Sequence, residues 1–245
     1  MKKYLDLFID FDDTLYDTHG NAVIALSETF EEFHLDRYFT DPQVFYDAYW
    51  AANIDLWGRY SRGEITRDNL IVERFRRPLS EAVGLDITAA YCIEMSDRFL
   101  DHCASKPGVL PGAHHLMDYL RQRGYRMHMT SNGFHEVQYK KLDSCGLRPY
   151  FDTVILSEHA GANKPSPQFF HYALQQSGAQ PATTLMIGDN LQTDIFGAMR
   201  AGLDTLLYNR WNVTADEMFL RDGLERADSS PTYVVESLAE ILNIL

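Results

Sequence analysis

Residues 5–15 read LDLFIDFDDTL. The apolar run from Leu5 to Asp10 suits a short buried strand, and Asp10, Asp12, Asp13 and Thr14 follow at its carboxyl end. Working outward, the pattern after Lys106 alternates between helical and extended stretches. Pro107, Gly108, Pro111 and Gly112 break the chain first. Ala113–Arg123 then reads as a helix closed by Gly124, and Tyr125–Thr130 as a strand. His135–Cys145 is a helix closed by Gly146, Thr153–Leu156 a strand and Pro167–Gln176 a helix. Thr184–Ile187 is a strand, Thr193–Ala201 a helix, Thr205–Tyr208 a strand and Val235–Leu242 a last helix. Such alternation predicts an α/β fold, a Rossmann-like parallel sheet covered by helices on both faces.

The stretch between the first strand and this alternation differs in character. It is rich in aromatics, arginine and glutamate. Ala22, Leu26, Thr29, Phe30 and Phe33 share one helical face, and 42–57, 67–76 and 88–103 look similar. The expected organisation is a catalytic core made of 1–18 and 106–245, with 19–105 inserted as an all-helical cap.

Composition narrows the function classes. The 245 residues include 22 basic and 35 acidic side chains, a net charge of −13, and 45% are hydrophobic. That length can bury a core without disulfides or a structural metal. No basic run marks a nucleic-acid surface, and no stretch approaches membrane-spanning length. The three cysteines, Cys92, Cys103 and Cys145, form no CxxC pair and read as reduced structural thiols in a cytoplasmic protein. An acidic protein repels phosphate at long range, so a metal and a few local cations must overcome that repulsion if phosphate is the ligand.

Ligands of open α/β sheets bind beyond the carboxyl ends of the strands. Collecting the polar residues there gives Asp10, Asp12, Asp13 and Thr14 from the first strand, and Thr130, Ser131, Asn132 and Gly133 from the second. The loop GANKPSP adds Lys164. The fourth core strand adds Gly188, Asp189, Asn190 and Asp194. Clustered carboxylates repel one another unless a cation sits among them. Hard oxygen donors in small number favour Mg²⁺ over Ca²⁺.

DFDDTL, TSNGF, NKP and GDNLQTD, in this order, resemble the haloacid-dehalogenase-like superfamily. The resemblance implies that Asp10 is a nucleophile and metal ligand. Its ordinary pKa of about 3.9 leaves it ionised, so it needs no base to attack phosphorus. Asp12 would protonate the leaving oxygen, later activate water, and offer its backbone carbonyl to the metal. Asp189 would complete the metal ligands. Asp194 would support Lys164 or a metal water, or act only as a first-turn helix charge. Ser131 and the amides of Asn132 and Gly133 would cradle phosphoryl oxygens, and Lys164 would neutralise charge between nucleophile and phosphate. Thr130 competes with Ser131 for that role. Asp13 reads as a cap, Thr14 as a hydrogen bond tightening the turn, and Asn190 as either a cap or a ligand.

Asp12 favours a phosphatase over a haloacid dehalogenase, which needs no leaving-group acid at that place. No lysine occurs between Asn21 and Cys103, which argues against Schiff-base phosphonate chemistry. A phosphatase of sugar phosphates or other small organic phosphates, a sugar-phosphate mutase, and a non-enzymatic regulatory relative are the alternatives. The stretch LWGRYSRGEITRDNL, followed by ERF, together with TSNGF and FDTVILSEHAGANKPSPQFFHYAL, resembles the bacterial 5′-nucleotidases acting on pyrimidine and modified nucleotides. That resemblance implies a nucleotide as the small phosphorylated partner. Trp57 and Tyr60 could stack on a base, although aromatics at helical spacing more often form a core. Arg74, Arg76 and His34 are available to a ribose or phosphate but read first as surface charges.

Overall fold

The computed structural model describes residues 2–214, 217 and 230–245. The chain divides into two compact units, one made of 1–18 and 107–245 and the other of 19–106.

The chain starts with β1, Asp6–Asp10, every residue of which is buried. It then enters the helical unit through α1, Thr18–Glu32. α2 spans Pro42–Ser61 and starts where the Asp41 side chain accepts from Gln43 N, with Pro42 in the first turn. α3, Arg67–Leu79, and α4, Ala89–Ser105, start in the same way from Thr66 and Thr88. Each cap satisfies an amide that the first helical turn leaves without a partner. The four helices close on an aromatic core that includes Phe30, Phe45, Tyr49, Phe75 and Phe99.

The rest of the chain builds the second unit. α5, Ala113–Gln122, leads to β2, Arg126–Ser131, then α6, His135–Ser144, and β3, Thr153–Leu156. A single turn, α7 (Ser157–Ala160), precedes α8, Pro167–Ser177, and β4, Thr184–Gly188. After β4 the chain makes one π-helical turn over Leu191–Phe196 and continues as α9, Gly197–Arg200. β5 is Asp204–Tyr208, β6 is Tyr233–Val235, and α10 is Leu238–Ile241.

The six strands form one parallel sheet in the order β3-β2-β1-β4-β5-β6. Continuous apolar runs such as Leu185–Ile187 suit strands covered on both faces. β1 lies between β2 and β4, with Asp10 opposite Thr130 and Ile9 opposite Ile187. The chain leaves β1 in opposite directions across the sheet, so a crevice opens at its carboxyl end.

Two expectations are corrected here. The segment 235–242 is not one helix: Val235 closes a sixth strand whose hydrogen bonds to β5 override helical spacing, and only Leu238–Ile241 is helical. The segment 193–201 is not a uniform helix either, because its first turn is π-helical. Among the described residues, no helix is long and apolar enough to cross a membrane.

Candidate active site

Asp10 ends the central strand, so its side chain leaves the sheet at the crevice. Its carboxylate Oδ1 accepts from Lys164 Nζ at 2.6 Å, and Oδ2 from Thr14 Oγ1 at 3.0 Å. Thr14 also reaches Asp189 Oδ1 at 3.4 Å, so it bridges the two strand ends as well as tightening its turn. Lys164 Nζ completes its own set with Asp194 Oδ1 at 2.7 Å and the Thr130 carbonyl at 3.0 Å. Lys164 is 2% exposed and Asp194 1%. Asp194 is therefore a partner of the lysine and more than a helix charge. Its Oδ2 also accepts from Asn190 N.

Asp12 is held separately. Its Oδ1 accepts from Thr18 Oγ1 at 2.6 Å and Lys141 Nζ at 2.5 Å, and its Oδ2 accepts from Gln138 Nε2. Gln138 and Lys141 were not among the residues singled out from the sequence. A signal was present: Val137, Gln138, Lys141 and Leu142 form the buried face of α6, and two polar side chains on a core-facing stripe call for partners.

The strand-end loops brace these groups. Ser131 Oγ accepts from Gly133 N and from Gln138 Nε2, each at 3.0 Å. A β-carbon on Gly133 would strike the Gln138 amide, so glycine is required for this approach. Asn132 faces the Lys164 segment: its Nδ2 donates to Lys164 O at 2.9 Å and its Oδ1 accepts from Lys164 N at 2.7 Å. Thr130 Oγ1 lies against Met186 Sδ, away from the carboxylates. Asn190 caps the π-helical turn by accepting from Gln192 N and Thr193 N. Asp13, at φ 59°, accepts from Arg210 Nη2 at 2.9 Å.

The charges of this cluster are unbalanced. One oxygen each of Asp10, Asp189 and Asp194 lies within 4.8 Å of the others. Burial pushes the Asp10 carboxyl up to about 7; Lys164 pulls it down, while Asp194 and Asp12 push it further up. Asp189 is likewise driven well above the usual carboxylate range by burial and by Asp10 and Asp194. Lys164 is raised despite its burial, because Asp10 and Asp194 flank it. One ammonium cannot offset two buried carboxylates and a half-buried third. The donor set, all hard oxygen, fits a small divalent cation such as Mg²⁺. Asp12 moves the other way: burial favours its neutral form, but Lys141, Thr18 and Gln138 together hold it below the usual range.

Trp57, Tyr60 and Arg74 lie in the helical unit. The Trp57 and Tyr60 rings meet edge to face at 5.6 Å between centroids, and the Arg74 guanidinium lies 5.5 Å from the Trp57 ring centre. Arg74 is not a surface charge. It stands on the inner face of α3 and is 1% exposed, whereas Arg76 points outward to Glu73 at 2.8 Å.

A family model described as haloacid dehalogenase-like hydrolase matches residues 7–202, which include every strand-end carboxylate above. The chain belongs to this hydrolase family. It is 31% identical to the pyrimidine 5′-nucleotidase PynA of Streptococcus pneumoniae, over 99% of this chain and 95% of that one. It is 32% identical to the pyrimidine 5′-nucleotidase YjjG of Escherichia coli, over 98% and 96% of the two chains. Its fold is similar to the crystal structure of the HAD-hydrolase YfnB from Bacillus subtilis bound to magnesium, with a TM-score of 0.83, 29% identity and 99% coverage of each chain.

Proposed function

We propose that this enzyme, a phosphatase of the haloacid dehalogenase-like family, hydrolyses nucleoside 5′-monophosphates bearing pyrimidine or modified bases through an aspartyl-phosphate at Asp10. The observation that carries the reading is the separate tethering of two aspartates two residues apart. Asp10 is clamped by Lys164, whereas Asp12 is clamped by Lys141 and Gln138. Different partners give two like groups different work.

In the first step an Asp10 carboxylate oxygen attacks phosphorus and the ester oxygen departs. Lys164 spreads its charge over the nucleophile and the incoming phosphoryl oxygens. The leaving oxygen takes a proton from the Asp12 carboxyl, which acquires it from solvent before the step and returns it there after the second, and which Lys141, Thr18 and Gln138 hold in place. In the second step Asp12 is again a carboxylate and accepts a proton from water. That water attacks phosphorus, and Asp10 and inorganic phosphate are released. Ser131 and the amides of Asn132 and Gly133 bind phosphoryl oxygens on substrate entry, Gly133 N giving up its present bond to Ser131 Oγ. Asp10, Asp189 and the Asp12 carbonyl would hold Mg²⁺, with Asp194 in support. When bound, the ion supplies positive charge that lets these carboxylates stay ionised and compensates the transferring phosphoryl group.

The nucleotide assignment is supported by the likeness to PynA and YjjG, which runs through 19–105 as well as through the strand-end motifs. In this reading 1–18 and 106–245 carry the chemistry, 19–105 acts as the cap that discriminates among leaving groups, and the substrate is a small cytoplasmic metabolite. A phosphate-release screen over nucleoside monophosphates, sugar phosphates and short organic phosphates tests it. Pyrimidine nucleotides should give the highest kcat/KM. Preference for a sugar phosphate would remove the nucleotide assignment and leave the phosphatase chemistry standing.

A further inference from the structure

Among the described residues, Arg74 is a buried cation with no carboxylate partner. Its Nε has no acceptor, and among the described residues no carboxylate or hydrogen bond meets its guanidinium. The groups that bear on its charge are Tyr49, whose phenol burial pushes up and keeps neutral, and Cys103; neither is a carboxylate. Burial pulls its pKa below the usual arginine value, yet a guanidinium stays protonated in proteins. Carboxylates are not scarce in this unit. Arg76 pairs with Glu73, Arg77 with Asp55, and Arg62 with Glu64, all toward the surface. Arg74 alone of these four is turned inward, where Trp57 and Phe99 flank it at 5.5 and 5.9 Å from their ring centres.

Such a group does not serve the fold. A desolvated charge lacking a partner is less favourable than an apolar side chain of similar volume. Aromatic faces return part of the loss, but Nε stays without an acceptor. What completes the site is a ligand with acceptor oxygens and a flat face.

Resting on the nucleotidase reading, we propose that Arg74 and Trp57 form the base-recognition site, with the guanidinium donating to a ring carbonyl oxygen of the pyrimidine and Trp57 offering a stacking surface. A sugar or short alkyl leaving group has acceptor oxygens but no plane to lie against the indole. A p-nitrophenyl group has the plane but no ring carbonyl.

The test uses the full chain with Arg74→Met, Arg74→Lys and, as a control on the same helix, Arg76→Met. Uridine 5′-monophosphate and p-nitrophenyl phosphate are the substrates. Uridine, which lacks the phosphate, serves as a competitive inhibitor. In Arg74→Met the ratio of kcat/KM for the nucleotide to that for the small ester should fall at least about tenfold, the scale of one charge-assisted hydrogen bond. Uridine inhibition should weaken by a similar factor. Arg74→Lys should lie between, because an ammonium keeps the charge but loses the fork. The Tm of Arg74→Met should not fall, and Arg76→Met should leave the ratio as it is in the wild type. If the wild type hydrolyses the nucleotide but Arg74→Met loses both esters equally, or unfolds, then Arg74 is structural and the inference fails alone. If the wild type does not hydrolyse nucleotides at all, the nucleotidase reading fails and takes the inference with it.

Discussion

Lys141 Nζ stands 2.5 Å from Asp12 Oδ1, one turn of α6 beyond Gln138, which donates to the other oxygen of the same carboxylate. The ammonium is largely buried and also lies 5.1 Å from the Tyr16 ring centre. This pair fixes the orientation of Asp12. Lys141→Met should lower kcat for a nucleotide, a poor leaving group, by about a hundredfold, in the range of general acid–base catalysis. The loss should be clearly smaller for p-nitrophenyl phosphate, whose leaving group needs little protonation. Equal losses on both esters would mean that Lys141 acts on folding or phosphate binding instead.

The two aspartates should separate in a phosphoenzyme experiment. Asp10→Asn removes the attacking oxygen, so no acid-stable, hydroxylamine-labile label should form from radioactive p-nitrophenyl phosphate. Asp12→Asn keeps the nucleophile but removes the base that activates water. Label should then accumulate and persist after a chase. Absence of label in both variants would overturn the division of labour.

Charge balance makes a prediction for the metal. With Asp10 and Asp189 both pushed up by burial and by neighbouring carboxylates, a divalent cation should stabilise the fold as well as support turnover. EDTA should abolish phosphate release and Mg²⁺ should restore it. At about a hundredfold excess over its dissociation constant, Mg²⁺ should add about 2.7 kcal/mol of stability, read as a rise in Tm. Asp189→Asn should lose most of that rise. A metal-free sample with full activity would refute the assignment.

Away from the crevice, His128 offers a pH test of stability. It is buried on β2, with Nε2 3.1 Å from Asp6 Oδ1, and Asp152 and Arg126 are its other charged neighbours. Burial pulls its pKa below the ordinary value, although Asp6 opposes this. The folded state therefore binds the proton less readily than the unfolded chain, whose imidazole titrates near about 6.5. This contribution to stability is complete above that pH and is lost as pH falls through the folded value. The drop in Tm between pH 7.5 and pH 5 should be smaller in His128→Gln than in the wild type. An unchanged or larger drop would show that other groups govern the acid limb.

Much of the α/β pattern was legible locally. Leu5–Asp10 is mostly apolar and ends in acids, and the extended runs 126–131, 153–156 and 184–188, buried toward their carboxyl ends, alternate with helical spacing. Thr66 and Thr88 cap their helices through contacts three residues away, which sequence spacing reports directly. Tyr233–Val235 was not legible, because three residues carry too little periodicity and the strand exists only through pairing with β5. The partnership of Gln138 and Lys141 with Asp12 spans more than 120 residues of chain, so no local pattern encodes it.

By itself the sequence determined which residues stand at the ends of β1, β2 and β4, because strand burial and alternation fix where each strand stops. It thereby assembled Asp10, Asp12, Ser131 and Asp189, with Lys164 from the loop after β3, as one set. Only the tertiary structure decided how that set divides: Lys164 to Asp10 and Asp194, Lys141 to Asp12, Asn132 to the backbone of Lys164. It also decided that Arg74 turns inward while Arg76 and Arg77 turn out. The reason is that solvation and charge pairing depend on what surrounds a side chain in space, and three arginines within four positions of one helix carry the same local signal whichever way they face.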